Sequence, residues 1–199
     1  LEERFASARN VQVIGDDACR LDYDALFGGD RWRCISNLPY AATSPLLFRF
    51  LEQRCPPADM FIVVQREVAN RLAAAPASKA YGALTVRVQL HYDVQVMRRL
   101  PPDVFYPSPD VDSAQVRLVW KPRDCQPEPD DARLVSVLAR LGFGQRRKRL
   151  RKLLLEEYEP VLLDAAFAAA GIGTGARAEE LLPAQFLQLA QALKRPGGH

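Results

Sequence analysis

Two short apolar runs, each leading into a helical pattern, constrain the fold of this chain most. Residues 34–36 and 60–65 have the composition of buried β-strands, and the second run is nearly continuous in apolar residues. Such continuity is typical of a strand that is covered on both faces. Helical periodicity follows in residues 46–52 and 66–75. This alternation predicts an α/β domain with a doubly wound parallel sheet.

Three more strands and one more helix complete the predicted α/β part. The β-branched segment 11–14 predicts a short strand, residues 81–91 predict a helix, and residues 94–97 and 114–120 predict strands. The polar, proline-rich segment 121–130 predicts a linker.

Strand signals stop after the linker, and only helical periodicity remains. The predicted helices cover residues 131–141, 146–157, 160–170 and 183–193. We therefore expect an α/β domain over residues 1–122 and a small all-helical domain over residues 130–199.

The first apolar run ends in Asn37-Leu38-Pro39-Tyr40. The last side chains of a buried parallel strand line the crevice above the sheet. There, an amide oxygen and backbone carbonyls can accept hydrogen bonds from an amino group, while a flat ring can stack on the base that bears it. The alternative for these four residues is a strand that simply stops at a proline turn.

Two other segments carry a functional and a structural interpretation. Proline is so dense in residues 101–113 that we expect a stiff loop, which either holds Phe105 and Tyr106 over a pocket or packs them on the core. Asp16 and Asp17 follow the segment 11–14. They either hold a ribose or adenine edge or cap a surface turn.

The net charge of only +3 is weak evidence for a polyanionic partner, but the basic residues cluster. Six of the seven residues in 146–152 are basic, and no acidic residue interrupts them. This run predicts contact with RNA phosphates, and the alternative is a solvated helix face.

Composition favours an ordinary soluble globular protein. Apolar residues make up 48% and charged residues 26% of 199 residues, and no apolar run approaches the roughly 20 residues that span a bilayer. The four cysteines are scattered without metal-ligand spacing, so we expect free thiols, no metal site and a reducing cytoplasm. They are Cys19, Cys34, Cys55 and Cys125.

Seven segments together resemble the ribosomal RNA adenine N6,N6-dimethyltransferase family, in family order and from end to end of the chain. The segments are residues 15–18, 36–40 with 44–47, 64–72, 81–86, 105–113, 143–148 and 177–181. Two positions depart from the family pattern. Arg149 stands where threonine is usual, and Asp110 stands where lysine is usual. The second departure puts an acid near the RNA face that the resemblance implies.

The resemblance implies a Rossmann-like class I S-adenosylmethionine-dependent methyltransferase domain, followed by a helical domain that binds rRNA. The implied reaction is N6,N6-dimethylation of two adjacent adenines in small-subunit rRNA. The implied enzyme is a cytoplasmic monomer that acts on the immature small ribosomal subunit and needs no metal. The implied catalytic residues are Asn37, Leu38, Pro39, Tyr40 and Phe105. The implied cofactor-binding residues are Asp17, Ala18 and Asn37. The implied RNA-binding residues are Arg146, Arg147, Lys148, Arg149, Arg151 and Lys152.

The resemblance also implies that the glycine-rich turn that cradles the methyl donor is not within residues 1–199. We therefore expect an N-terminally truncated chain, incomplete in its first domain, that binds the donor poorly and is inactive by itself.

Two other functions remain open at this point. One is a resistance-type methyltransferase of large-subunit rRNA, and Leu38 with the match in the helical domain favours the small-subunit enzyme over it. The other is a non-catalytic RNA-binding factor for ribosome assembly or transcription. The intact residues Asn37, Pro39, Tyr40 and Phe105 count against a loss of activity.

Overall fold

The computed structural model describes residues 1–5 and 7–194 of the chain. The helices are α1 (Glu2–Phe5), α2 (Tyr23–Phe27), α3 (Thr43–Leu51), α4 (Arg66–Leu72), α5 (Ala83–His91), α6 (Pro129–Gly144), α7 (Leu150–Leu154), α8 (Pro160–Ala169) and α9 (Pro183–Leu193). The strands are β1 (Arg33–Asn37), β2 (Asp59–Gln65), β3 (Tyr92–Leu100) and β4 (Ser113–Trp120).

The four strands form one mixed sheet in the order β1-β2-β4-β3. Strands β1 and β2 are parallel, whereas β4 runs antiparallel to both β2 and β3. Among the described strands, the prediction of a parallel sheet is therefore confirmed for β1 and β2 and wrong for β4. The reason is that β3 returns directly into β4 through the loop 101–112, without the crossover helix that parallel neighbours need.

The two faces of the sheet differ in burial. Met60, Ile62 and Val64 are almost fully buried, in one hydrophobic cluster with residues of α3, α4 and α5. On the other face Ile35 is 86% exposed, and its neighbour Phe61 lies 5.2 Å below the guanidinium of Arg117. The expectation that residues 60–65 are covered on both faces is thus wrong, because burial along β2 alternates.

Residues 11–14 form no strand, contrary to the sequence prediction. A strand needs a partner for its backbone N–H and C=O groups. Here the amide of Val11 bonds locally to the carbonyl of Ala8, at 3.2 Å, and the side chains of Val11 and Ile14 are exposed. The β-branched composition of residues 11–14 is therefore not enough to make this segment pair with another strand.

Helices α6–α9 pack around a second hydrophobic cluster, to which α5 contributes Val86 and Leu90. Helix α6 approaches residue 178 closely at Gly142, where an added Cβ would lie 2.5 Å from the Cβ of Ala178. The division into domains at 1–122 and 130–199 stays a prediction, and residues 195–199 of the second lie outside the described residues.

Candidate active site

An open cleft of about 370 Å³ lies at the carboxyl end of β1. It is lined by Asn37, Leu38, Pro39, Tyr40, Phe105, Tyr106, Pro107, Pro109 and Ser113. All five residues for which the family resemblance implies catalysis thus surround one space, although they come from two segments far apart in sequence. Their chemical roles remain predictions.

The turn after β1 is held in one backbone conformation. The amide of Leu38 donates to the carbonyl of Val63 at 3.0 Å, and the leucine side chain is buried. The carbonyl of Pro39 accepts from the amide of Ala42 at 3.0 Å and from Oγ1 of Thr43 at 3.2 Å. These bonds fix the direction of the backbone that follows Asn37.

Tyr40 belongs to a short 3-10 turn, Tyr40–Ala42, and is 39% exposed. Its hydroxyl oxygen lies 3.5 Å from Oγ of Ser113, the buried first residue of β4. The ring is therefore tethered at its polar end while part of it stays open to the cleft.

The loop that carries Phe105 is braced by its own hydrogen bonds. The amide of Phe105 donates to the carbonyl of Pro102 at 3.1 Å, and the same carbonyl accepts from Oγ of Ser108 at 3.0 Å. Since proline also fixes φ at several positions, the loop presents Phe105 from a restricted backbone.

Four further residues line the cleft. Tyr106 was expected from the sequence either over a pocket or on the core, and it lies at the cleft; Pro107, Pro109 and Ser113 were assigned no role from the sequence. The signal that could have found these three is the proline-rich segment 101–113 itself, because all three belong to it.

A charged cluster lies directly beside this loop. The carboxylate of Asp112 is within 3.1 Å of Nη1 of Arg66 and 2.6 Å of Nη2 of Arg99. The amide of Arg66 also donates to the carbonyl of Asp112 at 2.9 Å. These contacts tie the end of the loop to the start of α4 and to the end of β3.

Asp17 and Ala18, the other residues for which the resemblance implies cofactor binding, are not among the residues that line the cleft. The carboxylate of Asp17 is exposed, and its Oδ1 accepts from the amide of Cys19 at 2.9 Å. The carbonyl of Ala18 accepts from the hydroxyl of Tyr23 at 2.8 Å, and burial raises the pKa of that hydroxyl. Tyr23 thereby anchors this loop to the hydrophobic cluster that contains the buried residues of β2 and β4.

The basic run lies mostly in the connection between α6 and α7 and not in a helix, as its first four residues precede α7. Arg146 is engaged by the protein: its guanidinium donates to the carbonyls of Tyr81, at 2.9 Å, and Lys79, at 3.3 Å, and pairs with Glu179 at 3.2 Å.

Arg151 is engaged as well, through two bonds of 2.6 and 2.9 Å to the carboxylate of Asp164. The bond from Arg151 lowers the pKa of that carboxyl group. By contrast, Arg147, Lys148, Arg149 and Lys152 are exposed, and no carboxylate of the described residues forms an ion pair with them. A shallow cleft of about 530 Å³ is lined by residues that include Arg149, Lys152 and Thr174.

Within the described residues, no group of three His, Cys, Asp or Glu side chains could hold a metal ion. None of the helices in that part of the chain is long and apolar enough to cross a membrane.

Comparison with solved structures places the fold among methyltransferases. A dimethyladenosine transferase from Plasmodium falciparum matches with a TM-score of 0.77 at 23% identity, over 94% of this chain and 74% of that one. The 23S rRNA methyltransferase ErmE matches with a TM-score of 0.64, also at 23% identity, over 98% of this chain and 76% of that one. The fold is thus that of a Rossmann-like methyltransferase, as predicted.

Sequence comparison then gives the family. The sequence profile of the ribosomal RNA adenine dimethylase family matches residues 1–195. The chain is 43% identical to ribosomal RNA small subunit methyltransferase A of Xanthomonas oryzae pv. oryzae over 191 residues, which are 96% of this chain and 71% of the relative. The same-named protein of Xanthomonas campestris pv. campestris is 43% identical over 192 residues, again 96% of this chain and 71% of the relative. The chain belongs to the ribosomal RNA adenine dimethylase family, which confirms the resemblance seen in the sequence.

Proposed function

We propose that this chain provides the adenine-binding and RNA-binding parts of an S-adenosylmethionine-dependent enzyme that dimethylates two adjacent adenines of small-subunit rRNA. The observation that carries this proposal is that Asn37, Tyr40 and Phe105 line one and the same open cleft. The relatives at 43% identity, which are named for the small subunit, favour this substrate over large-subunit rRNA and favour an enzyme over a non-catalytic factor.

Asn37 and Leu38 carry hydrogen-bond acceptors that suit the amino group of a target adenine. The exocyclic nitrogen of adenine is a poor nucleophile because its lone pair is delocalised into the ring. Acceptance of its two N–H bonds by the amide oxygen of Asn37 and the carbonyl of Leu38 would give the nitrogen more sp3 character and aim its lone pair. Pro39 has no N–H that could compete for these acceptors.

Aromatic residues would hold the base in place. Tyr40 and Phe105 would stack on opposite faces of an adenine that is unpaired or flipped out of its helix. Stacking on a protein ring stabilises a bound base by about 1–3 kcal/mol. The hydroxyl contact of Tyr40 with Ser113 limits the rotation of that ring, so less freedom is lost on binding.

Asp17 and Ala18 fit the adenine end of the methyl donor. The exposed carboxylate of Asp17 can accept a hydrogen bond from the amino group of that adenine, and Ala18 lies beside it in the chain. When bound, S-adenosylmethionine supplies an activated methyl group on a sulfonium. Asn37, at the end of β1, would contribute to both the cofactor site and the adenine site.

The helical part of the chain would bind the RNA backbone. Arg147, Lys148, Arg149 and Lys152 are exposed and available to phosphates, so we assign the main phosphate contacts to them. Arg146 and Arg151, predicted as RNA ligands too, already bind protein groups and would contribute less. We further propose that the enzyme acts as a monomer in the cytoplasm on immature small subunits.

Transfer of a tritiated methyl group from S-adenosylmethionine to immature small subunits tests this function. Residues 1–199 should be compared with a form extended by the unmatched part of the Xanthomonas oryzae relative, of which this chain covers 71%. We expect methylation of two adjacent adenines by the extended form and much less by residues 1–199. Modification of large-subunit rRNA instead, or none by either form, would contradict the proposal.

A further inference from the structure

Tyr106 is the most exposed aromatic residue in the described part of the chain, with a relative exposure of 102%. Tyr23, Tyr81 and Tyr92, by contrast, are buried. When a flat partner covers an aromatic ring that is fully exposed to water, the burial of apolar surface stabilises the complex. Its position thus marks a contact surface that the folded chain leaves open.

This ring stands at the edge of the proposed adenine cleft. Tyr106 lines the same cleft as Asn37 and Tyr40 and follows Phe105 directly in the chain. The hydrogen bonds of Phe105 and Ser108 to the carbonyl of Pro102 brace the loop from both sides of Tyr106. A ring on such a loop loses little conformational entropy when it binds a partner.

Next to the loop, which itself carries Asp103 and Asp110, one cluster offers positive charge to an anionic partner. Arg66 and Arg99 share the single carboxylate of Asp112, which leaves one net positive charge in the cluster. Both guanidiniums are more than half exposed, so they can bind a phosphate in addition to Asp112. The flat ring can stack on a base, and the net positive charge beside it can bind the phosphate of the same nucleotide. A base with its phosphate is the repeating unit of single-stranded nucleic acid.

We infer that Tyr106 is the stacking platform for the base adjacent to the target adenine, with the cluster of Arg66, Asp112 and Arg99 beside its phosphate. This inference rests on the proposed function and extends it from one nucleotide to two. Phe105 and Tyr106 then serve different bases: the first ring covers the adenine to be methylated, and the second holds its neighbour outside the pocket. Because every base has a stackable face, this subsite positions the strand without selecting a base.

A double-mutant cycle between protein and RNA tests the assignment. The probe is a short fluorescently labelled single-stranded RNA with two adjacent adenines, together with versions that carry an abasic residue on either side of the target. Tyr106→Ala should raise the Kd for the intact RNA about 5- to 150-fold. The same substitution should leave the Kd unchanged for one of the two abasic RNAs, the one that lacks the base stacked on Tyr106. Tyr106→Phe should bind like the unsubstituted chain, because the ring is retained.

Val104→Ala is the matched control, because Val104 is an exposed apolar residue of the same loop that does not line the cleft. It should leave both affinities unchanged. An equal loss for intact and abasic RNA, or no loss with Tyr106→Ala, would overturn this inference alone. Failure of the unsubstituted chain to bind the intact RNA would overturn the proposed function together with it.

Discussion

The hydroxyl oxygen of Tyr40 lies 3.5 Å from Oγ of Ser113, and this contact joins the turn after β1 to the first residue of β4. The two residues are 73 positions apart in sequence. Both line the candidate active site, so the contact links the segment that would bind the adenine amino group to the strand that follows the aromatic loop.

Removal of this contact should weaken methylation moderately. A neutral hydrogen bond contributes about 0.5–1.5 kcal/mol, so Ser113→Ala and Tyr40→Phe should each lower kcat/KM by no more than about 10-fold in a catalytically active form. The double variant should be no worse than either single one, because both remove the same contact. Additive losses would show that the two hydroxyl groups act separately.

Charge reversal in the exposed part of the basic run should weaken RNA binding. The triple change of Arg147, Lys148 and Arg149 to Glu should lower RNA affinity and reduce the slope of log K against log salt by about two. Arg133→Glu, an exposed change on α6, is the control and should leave the slope unchanged. An unaltered slope in the triple variant would mean that the run is only a solvated surface.

Arg146 should matter for stability more than its neighbours in the run. Arg146→Ala removes bonds to the carbonyls of Tyr81 and Lys79 and the pair with Glu179. Since the guanidinium is partly exposed, we expect a loss of about 1–3 kcal/mol, seen as a Tm several degrees lower. Arg147→Ala should melt like the unsubstituted chain. Equal Tm values for both variants would contradict a structural role of Arg146.

The four free cysteines should differ in reactivity. Burial raises the pKa of Cys34 to about 11, so at pH 8 only about 0.1% of this thiol is ionised and reactive. Cys125 is exposed and should be alkylated by iodoacetamide first, while Cys34 should react at ordinary speed only after unfolding. Peptide mass spectrometry over time measures this order, and early labelling of Cys34 in the folded chain would contradict it.

Local patterns in the sequence were enough to predict the elements that form the candidate site. The apolar run that ends at Asn37 and the proline-rich loop 101–113 are recognisable without tertiary information, because both depend on neighbouring residues. The structure brings the two segments to one cleft, as the functional interpretation of each required.

Long-range contacts account for what the sequence did not reveal. The basic run gives no sign that Arg146 reaches the carbonyl of Tyr81 or that Arg151 pairs with Asp164, since these partners lie far along the chain or on another helix. Likewise, the β-branched residues 11–14 predicted a strand, but a strand depends on a neighbouring strand and not on composition alone. The antiparallel direction of β4 was equally invisible in its own residues.

The most direct test of the account is the effect of Asn37→Ala on methylation and on RNA binding, measured in the same catalytically active form. If the amide of Asn37 orients the adenine amino group, turnover should fall at least about 100-fold while the RNA Kd stays nearly constant. Ile35→Ala, an exposed change on the same strand, is the control and should keep full activity. Undiminished methylation by Asn37→Ala would contradict the account.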